Sequence, residues 1–341
     1  MREQLLGKTP DELKGIALKV GLPAFTGKQI AQWMYGRKVR GIDEMTNISK
    51  IGRERLKEEY SLGVTMPSAC QVSSDGTKKY LFPIGEGNAV EAVMIPDDDR
   101  KTLCVSSQAG CRMGCRFCMT GRQGFHGNLT TAEILSQFMA IDEAADLTNA
   151  VFMGMGEPLD NFDNVMRTIE VLTADWGFGW SPKRITLSTI GVLPNLRKYL
   201  DSTRCHLAVS LHNPFPDERA ELMPVQKAWP VQEVIDMIRE YDFTGQRRVS
   251  FEYTMFAGLN DDKRHADALI RLLRGLECRV NLIRFHKIPD APYETTSQFI
   301  MERFRDRLSN HGITCTIRAS RGEDILAACG MLAGEHRNKL I

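Results

Sequence analysis

Hydrophobic and polar residues change their spacing twice along this chain. Up to about residue 60 the spacing is helical, with a Pro-Asp-Glu helix start at 10–12 and an apolar stripe through Ile30, Trp33 and Met34. Residues 68–107 instead contain strand-like segments, KKYLF, NAVEAVMIP and TLCVSS. From Leu129 onward, strand-like and helix-like segments alternate.

This alternation predicts a parallel sheet or barrel with helices outside it. The predicted strands cover 150–154, 184–190, 206–212, 248–256, 279–285 and 314–319. The predicted helices cover 161–174, 230–242, 262–275 and 297–311, and another opens at a capping box of Thr130 and Glu133. We therefore predict an α/β fold, a partial (β/α) barrel preceded by a small N-terminal helical domain.

The same changes of pattern divide the chain into three parts. They are a helical domain at 1–62, a β extension at 63–100 and the barrel core at 101–341. A chain of 341 residues is long enough for one large α/β domain with a small appendage. We find no internal repeat and no low-complexity linker in the sequence.

Composition excludes several classes of protein. Apolar residues make up 43% and charged residues 26% of the chain, which excludes disordered and fibrous proteins. No segment reaches the ~18 consecutive apolar residues that a membrane span needs, and the N-terminus lacks the apolar core of a secretion signal. We expect a cytoplasmic protein and no membrane partner. In that reducing compartment, closely spaced cysteines indicate metal binding or catalysis.

Charge adds little. The net charge is +1, although residues 1–67 have an excess of four positive charges. The basic pairs Lys183-Arg184 and Arg247-Arg248 and the GRKVRG segment at 36–41 can meet phosphates. Taken one at a time, each is more typical of a solvated surface than of a specific contact. The N-terminal domain is the better candidate for recognising an RNA by its shape.

The sharpest motif is a CxxxCxxC sequence formed by Cys111, Cys115 and Cys118 in a glycine-containing loop. Three thiolates within eight residues can bind one soft metal centre, whereas four would close a structural zinc or ferredoxin-type site. Three ligands leave one iron of a [4Fe–4S] cluster open. The alternatives are a zinc knuckle with a distant fourth ligand, and buried structural thiols.

Polar residues at the ends of predicted strands indicate a binding pocket. Gly156 and Glu157 follow the strand at 150–154, Ser188 ends the next, and a Ser210-Leu211-His212 triplet ends the third. Alone, a GxGE turn or a strand-end serine is weak support. Because barrels place their ligand-binding residues at the carboxyl ends of strands, the set predicts one pocket.

Two further cysteines lie in distinctive surroundings. Cys104 lies on a predicted strand, in TLCVSSQAGC, and Cys329 is flanked by small residues, in ILAACGMLAG. Without further support, a buried thiol is the favoured interpretation of either. We interpret the remaining cysteines in that way, namely Cys70, Cys205, Cys278 and Cys315.

Several segments, taken together, resemble one known family within the radical S-adenosylmethionine (SAM) superfamily. They are TLCVSSQAGCRMGCRFCMTGRQGF, FMGMGEPLDN, ITLSTIGV, SLHNPF, VNLIRFHKIPDAPY and RGEDILAACGMLAG. The chain is similar to the dual-specificity 23S ribosomal RNA and transfer RNA adenine-C2 methyltransferases, whose relatives methylate adenine C8. The motifs span residues 91–334 in family order, and the N-terminal region is compatible with the family.

The resemblance implies the cofactors and the mechanism. It implies a [4Fe–4S] cluster on the three cysteines of the motif and two SAM molecules per turnover. Cys329 accepts a methyl group from one SAM by nucleophilic displacement, and SAM at the cluster yields the radical that activates this methyl group. The activated carbon adds to adenine and Glu91 helps to remove the C2 proton. Cys104 then attacks the Cys329 sulfur, leaving a transient disulfide that a reductant reopens.

The resemblance also implies the SAM contacts and the partners. Gly156, Glu157, Ser188 and the Ser210-Leu211-His212 triplet match the SAM-binding segments of the family. At Arg284-Phe285-His286 the chain departs from the family pattern Pro-aromatic-Asn, so His286 is the candidate replacement for a SAM-binding Asn. The expected substrates are 23S rRNA at the peptidyl-transferase centre and the adenine 3′ to the anticodon in tRNAs. The expected electron donor is of the flavodoxin or ferredoxin type.

Other functions remain open at this point. C8 methylation is one, and another radical SAM reaction such as glycyl-radical activation has no use for the pair Cys104 and Cys329. A non-catalytic metal-binding redox sensor would leave the polar residues at the strand ends unexplained.

Overall fold

The N-terminal region forms a small helical layer in the computed structural model, which describes residues 2–85, 87–243, 247–327 and 331. Its elements are β1 (Glu3–Gln4), α1 (Pro10–Lys19), α2 (Thr26–Ala31) with a π-helical turn (Gln32–Gly36), a 3-10 turn (Ile42–Glu44), α3 (Lys50–Glu59) and β2 (Tyr60–Ser61). Helix α1 begins at a capping box of Thr9 and Glu12, in which each side chain accepts from the other residue's amide. Parallel pairing of β1 with β2 joins the two ends of the layer.

The main sheet contains ten strands of the described chain. They are β3 (Ala69–Val72), β4 (Lys78–Ile84), β5 (Asn88–Asp97), β6 (Arg100–Cys104), β9 (Asn149–Phe152), β10 (Ile185–Thr189), β11 (His206–Ser210), β12 (Val249–Met255), β13 (Arg279–Arg284) and β14 (Thr314–Ile317). A separate hairpin consists of β7 (Gln108–Gly110) and β8 (Phe125–Asn128). Across the sheet the order is β14-β13-β12-β11-β10-β9-β6-β5-β4-β3. Strands β6 and β9 to β14 run parallel, and β3 to β6 pair antiparallel.

Helices connect the parallel strands, as the alternation predicted. They are α4 (Met119–Arg122), α5 (Thr131–Met139), α6 (Phe162–Thr173), α7 (Leu193–Ser202), α8 (Pro216–Leu222), α9 (Val231–Arg239), α10 (Lys263–Leu273) and α11 (Gln298–Asn310). The capping box that opens α5 is confirmed, and the predicted strands all form, with ends that differ from the predicted ones by up to three residues. Helices α7 and α8 were not among the predicted ones, because each has a proline in its first turn that resembles a break.

Side chains alternate between the two faces of the parallel strands. In β10, Ile185 and Leu187 are fully buried in the hydrophobic core, whereas Thr186 and Ser188 line cavities on the opposite face. Strands β11 and β12 repeat this pattern. The apolar face therefore packs against the helices, and the inner face of the sheet is left polar and open.

The sheet curves around this polar interior. Residues from β5 through to the segment after β14 line one common cavity. The segment after β14 reaches the turn between β3 and β4, where the Gly322 amide donates to Asp75 at 3.0 Å and the Ser73 hydroxyl donates to Asp324 at 2.5 Å. The predicted α/β fold with a partial barrel is thus confirmed, with the opening bridged by loop contacts.

The helical layer packs against the outside of the barrel. Leu135 and Met139 of α5 and Val171 of α6 belong to the same hydrophobic cluster as the buried residues of α1 to α3. Across the described ranges, no helix is both long enough and apolar enough to span a membrane.

Two glycines in the helical layer provide a matched test of this packing. A Cβ added at Gly27 would lie 2.4 Å from the Lys14 amide nitrogen in the main chain of α1, whereas one added at Gly15 meets nothing within 4 Å. Gly27→Ala should lower the free energy of unfolding by about 2 kcal/mol through overpacking. Gly15→Ala should raise it by up to ~1 kcal/mol through helix propensity. Urea denaturation of both variants measures the difference, and equal stability of the two would contradict the close packing of α1 on α2.

Candidate active site

The three motif cysteines lie in the loop between β7 and α4. Gly110, the last residue of β7, has φ +70°, and a Cβ there would lie 1.9 Å from the Gly124 carbonyl oxygen, so only glycine fits. The next amide, that of Cys111, donates to this same carbonyl at 2.9 Å. A turn from the Cys118 amide to the Cys115 carbonyl then closes the loop at 3.2 Å. The local sequence thus determines the shape of the loop.

All three thiols line one cavity, and their chemistry fits an iron–sulfur cluster. Burial raises the pKa of the Cys111 thiol to about 12 and that of Cys115 well above its ordinary value, and the neighbouring thiolates add to both shifts. Such thiols stay protonated at neutral pH unless a metal binds them. Within the described ranges no three potential ligands converge on a single ion. A four-iron cluster does not require that, because each thiolate binds a different iron.

A buried arginine lies behind the cluster loop. Arg219 of α8 is fully buried, and its guanidinium donates to the carbonyls of Ser210 and Leu211, both at 2.9 Å. Burial lowers the pKa of Arg219 to about 10, although the nearby Cys115 opposes the shift, so this side chain is a cation at neutral pH. The fixed positive charge offsets that of the thiolates. Its sequence context, PDERAEL, is typical of a solvated helix, so the sequence alone gives no signal for its burial.

The cavity, with about 1000 Å³ of space including its open mouth, brings together most of the predicted pocket residues. Its wall includes Gly156, Glu157, Ser188, Ser210 and His212 in addition to the cysteines. These residues come from loops after β9 and from the carboxyl ends of β10 and β11, where the sequence analysis expected a pocket.

Most of the hydrogen-bonding capacity of the Glu157 carboxylate is used by the protein itself. Its carboxylate accepts from the Thr189 hydroxyl at 2.6 Å and from the amides of Ile190 and Leu159 at 2.9 and 3.0 Å. Burial nevertheless raises the pKa of Glu157 to about 7, because desolvation outweighs these hydrogen bonds. A carboxylate has about four acceptor positions, so roughly one remains for a ligand.

His212 is a neutral imidazole in a constrained backbone conformation. Burial lowers the pKa of His212 to about 3, with a contribution from the charge of Arg219. Its Nδ1 accepts from the Thr254 amide at 2.9 Å, which places the ring proton on Nε2. The backbone φ is +56°, and the Asn260 side chain holds the His212 carbonyl at 2.7 Å. The ring is thus a fixed donor in the wall of the cavity.

Two residues that were predicted to contact SAM, Leu211 and His286, do not line the first cavity. The Leu211 side chain is fully buried in the core and lines neither cavity, since strand alternation turns it away from Ser210. His286 lines a second cavity, with Nε2 3.0 Å from the Ser320 hydroxyl, and Phe285 is the residue of that segment in the first cavity. Contact of His286 with SAM therefore stays a prediction.

Polar residues that the sequence analysis missed also line the first cavity. They are Glu252 and Thr254 of β12, together with Arg318, whose guanidinium lies 3.5 Å from the Glu252 carboxylate. The signal was present in RVSFEYTMF, where Arg, Ser, Glu and Thr occupy alternate positions on one face of the strand. Alternation within a strand, and not only its end, therefore indicates the site.

Glu91 and Cys104 lie on neighbouring strands. Glu91 of β5 is 4% exposed, and the Lys79 ammonium lies 3.4 Å from its Oε1. Cys104 ends β6, is partly buried, and pairs with Val93 on β5. Cys329 lies outside the described residues. The chain before it is described to Ala327, and Lys79 also approaches the Leu326 carbonyl at 3.5 Å.

The remaining cysteines differ in exposure. Cys205 and Cys315 are buried, as interpreted from the sequence, and Cys278 is partly buried. For Cys70 the interpretation was wrong, since it is exposed on β3, the last strand of the sheet, whose residues are all solvent-exposed.

Comparison with known proteins gives consistent matches. Residues 105–269 match the radical SAM superfamily model, and residues 3–62 match the model of a ribosomal RNA large subunit methyltransferase N-terminal domain. The chain is 61% identical over 329 residues to a probable dual-specificity RNA methyltransferase RlmN of Porphyromonas gingivalis, covering 96% of each protein. It is 40% identical to a dual-specificity RNA methyltransferase RlmN of Syntrophus aciditrophicus, covering 95% of this chain and 94% of the relative.

A solved structure agrees with these matches. It is a radical SAM methyltransferase from Sphaerobacter thermophilus with a TM-score of 0.92 and 39% identity, and the alignment covers 97% of this chain and 99% of the other.

The cysteine loop can be tested by single substitutions. Cys115→Ala should lose at least tenfold in bound iron after anaerobic reconstitution, together with the broad absorbance at about 400 nm typical of iron–sulfur clusters. Cys278→Ala removes a partly buried thiol outside the cavity and should keep about four irons per chain. Iron analysis and an absorbance spectrum measure both. A Cys115→Ala protein with its iron intact would contradict the assignment.

Proposed function

This chain belongs to the radical SAM family of dual-specificity RNA methyltransferases, and we propose that it methylates adenine C2 in two kinds of RNA. The substrates are a specific adenine of 23S ribosomal RNA, at the peptidyl-transferase centre, and the adenine 3′ to the anticodon in transfer RNAs. One observation carries the proposal: a single cavity joins the cysteine loop to the polar residues at the strand ends, in a chain similar to such enzymes over almost its full length.

The cofactors are a [4Fe–4S] cluster and SAM. Cys111, Cys115 and Cys118 hold the cluster, and two SAM molecules are consumed per turnover. When bound, the cluster supplies the one-electron chemistry that makes an inert methyl group reactive. The protein contributes position and charge, because the buried cation of Arg219 lies beside the cluster loop.

Residues of the cavity wall bind and orient SAM in this proposal. The fixed Nε2–H of His212 donates, and the remaining acceptor position of Glu157 receives an ammonium or ribose hydroxyl group. Ser188 and Ser210 contribute hydroxyl groups at the ends of adjacent strands. The shape of the cavity, together with these groups, selects one orientation of the ligand.

Three side chains act on the RNA base and on the methyl group. Cys329 accepts the methyl group and carries it to adenine, Glu91 accepts the C2 proton, and Cys104 attacks the Cys329 sulfur to release the product. Lys79 supports this proposal, because its ammonium lies 3.4 Å from the Glu91 carboxylate and attracts its negative charge. The resulting disulfide needs an external reductant.

The partners follow from this chemistry. Reduction of the cluster needs a one-electron donor of low potential, of the flavodoxin or ferredoxin type. Cellular RNA and reduced thiols are found together in the cytoplasm, where we place the enzyme.

The reaction itself can be tested with purified components. Reconstituted protein, SAM, a low-potential reductant and either a 23S rRNA fragment or a tRNA should yield adenosine with one added methyl group at C2. Nucleoside mass spectrometry against C2- and C8-methyl standards identifies the product. Methylation at C8, or intact SAM after incubation, would contradict the proposed function.

The resolving role of Cys104 predicts a trapped intermediate. Cys104→Ala can still join the Cys329 carbon to adenine but has no thiol to release it, so at least half of the active protein should carry RNA covalently. Denaturing gel shift, reversed by nuclease, measures this fraction. Cys329→Ala and the double variant should carry none.

A matched control separates this role from a general effect of losing a thiol. Cys70 is exposed on β3, so Cys70→Ala should turn over normally and carry no RNA. A fully active, RNA-free Cys104→Ala enzyme would contradict the assignment of Cys104 as the thiol that releases the product.

A further inference from the structure

A second cavity extends from the amino ends of β9 to β12 across the barrel interior to the end of β13 and the segment after β14. Its wall includes His206, the first residue of β11, and Asn149, the first residue of β9, and it contains about 1550 Å³ of space including its open mouth. Ile283 and Arg318 line both cavities, so the two adjoin inside the barrel. We call this second cavity the basic chamber, because of the side chains described next.

Cations converge on the basic chamber from separate parts of the chain. They come from the turn before β10, the start of β12, the end of β13 and the segment after β14, namely Lys183, Arg184, Arg248, Arg284, Arg318 and Arg321. Asp97 is the one acidic residue of the lining in the described ranges, and it already pairs with Arg100 at 2.5 Å. The chamber therefore has a large excess of positive charge in a chain whose net charge is only +1.

Part of this charge has no carboxylate partner within the described ranges. In the residues that the structure describes, Lys183, Arg184 and Arg248 form no ion pair with a carboxylate, and all three are exposed at the mouth of the chamber. Their field reaches the neighbouring His206: burial lowers the pKa of its imidazole, and Arg248 and Lys183 lower it further. The His206 Nδ1 accepts from the Arg248 amide at 3.1 Å, so this ring is a neutral part of the wall.

A role in stability does not explain the chamber. Residues at the amino ends of barrel strands usually stabilise the barrel. Like charges gathered in one cavity repel one another and weaken the fold unless an anion offsets them. The open, solvated mouth also excludes a packed core. The arrangement fits a ligand with several negative charges that enters the barrel from this end.

We propose that the basic chamber binds the backbone phosphates that flank the target adenine, so that a single-stranded RNA loop enters the barrel at the amino ends of its strands. This inference rests on the proposed function. Chemistry on a base inside a barrel requires an unstacked nucleotide, whose neighbouring phosphates stay at the mouth. Lys183, Arg184 and Arg248 contact these phosphates, and the base passes Arg318 and Ile283 toward the cysteine site.

The test removes two charges while keeping hydrogen-bonding side chains. With reconstituted enzyme, the Lys183→Gln/Arg248→Gln variant should bind an RNA loop roughly 100-fold more weakly, about tenfold for each lost contact. Because each phosphate contact adds about 0.7 to the salt dependence for single strands, the slope of log Kd against log salt should fall by about 1.4. The KM for RNA should rise, while iron content and SAM cleavage without RNA stay unchanged.

The control variant is Lys227→Gln/Arg271→Gln. It makes the same change in net charge at exposed positions outside the chamber and should bind RNA as the unsubstituted enzyme does. An RNA affinity within twofold of the unsubstituted enzyme in the chamber variant, or an equal loss in the control, overturns the proposal. Adenosine 5′-monophosphate is a second probe: if it binds as tightly as the RNA loop and is weakened equally, the chamber is a mononucleotide site and the proposal fails.

The same measurements separate this inference from the function on which it rests. If the enzyme methylates adenine C2 and the chamber variant binds RNA normally, the chamber assignment fails and the function stands. If RNA binding depends on Lys183 and Arg248 but no adenine is methylated, the function fails and the chamber stands.

Discussion

Side chains on the parallel strands β10, β11 and β12 point alternately toward the helices and toward the interior of the barrel. The outer set, such as Leu187 and Val209, buries enough apolar surface to hold the helices in place. The inner set is thereby released from core packing and can be polar, as Ser188 and Glu252 are. Every functional feature of the molecule depends on this division, because a barrel with an apolar interior would be filled and closed.

Ionisable side chains inside the barrel lose contact with bulk water, and nearby groups of the protein compensate for this loss. The raised pKa values of the Cys111 and Cys115 thiols keep them protonated until a metal binds, and Arg219 places a fixed cation behind their loop. Glu157 accepts three hydrogen bonds, and His212 stays neutral because its Nδ1 has a donor in the backbone. Arg219, Glu157 and His212 thus each have partners that fix their positions, which gives a preorganised site.

The two ends of the barrel interior differ in this respect. At the carboxyl ends, polar groups are paired and directed toward one small cavity, as small-molecule recognition requires. At the amino ends, cations such as Lys183 and Arg248 remain exposed, as the recognition of a flexible polyanion requires. Arg318 lies between the two cavities and pairs with Glu252. The barrel therefore offers SAM and RNA separate entrances to one adjoining interior.

What the sequence alone determined is local. The shape of the loop around Cys111, the strand and helix alternation, the capping box at Thr130 and the pocket residues at strand ends all depend on neighbours within a few positions, where spacing and backbone preference decide the outcome. Resemblance to a known family added Glu91 and Cys104, which spacing could not distinguish from ordinary strand residues.

Only the tertiary structure decided which distant side chains meet. The cation of Arg219 beside the thiols, the pairing of Lys79 with Glu91, and the gathering of Lys183 and Arg248 join residues far apart in the chain. The position of His286 outside the first cavity was likewise set by the end of a strand, which periodicity locates only to within a residue or two. Hydrophobic burial brings such groups together without regard to their chemistry, so their contacts leave no local signal in the sequence.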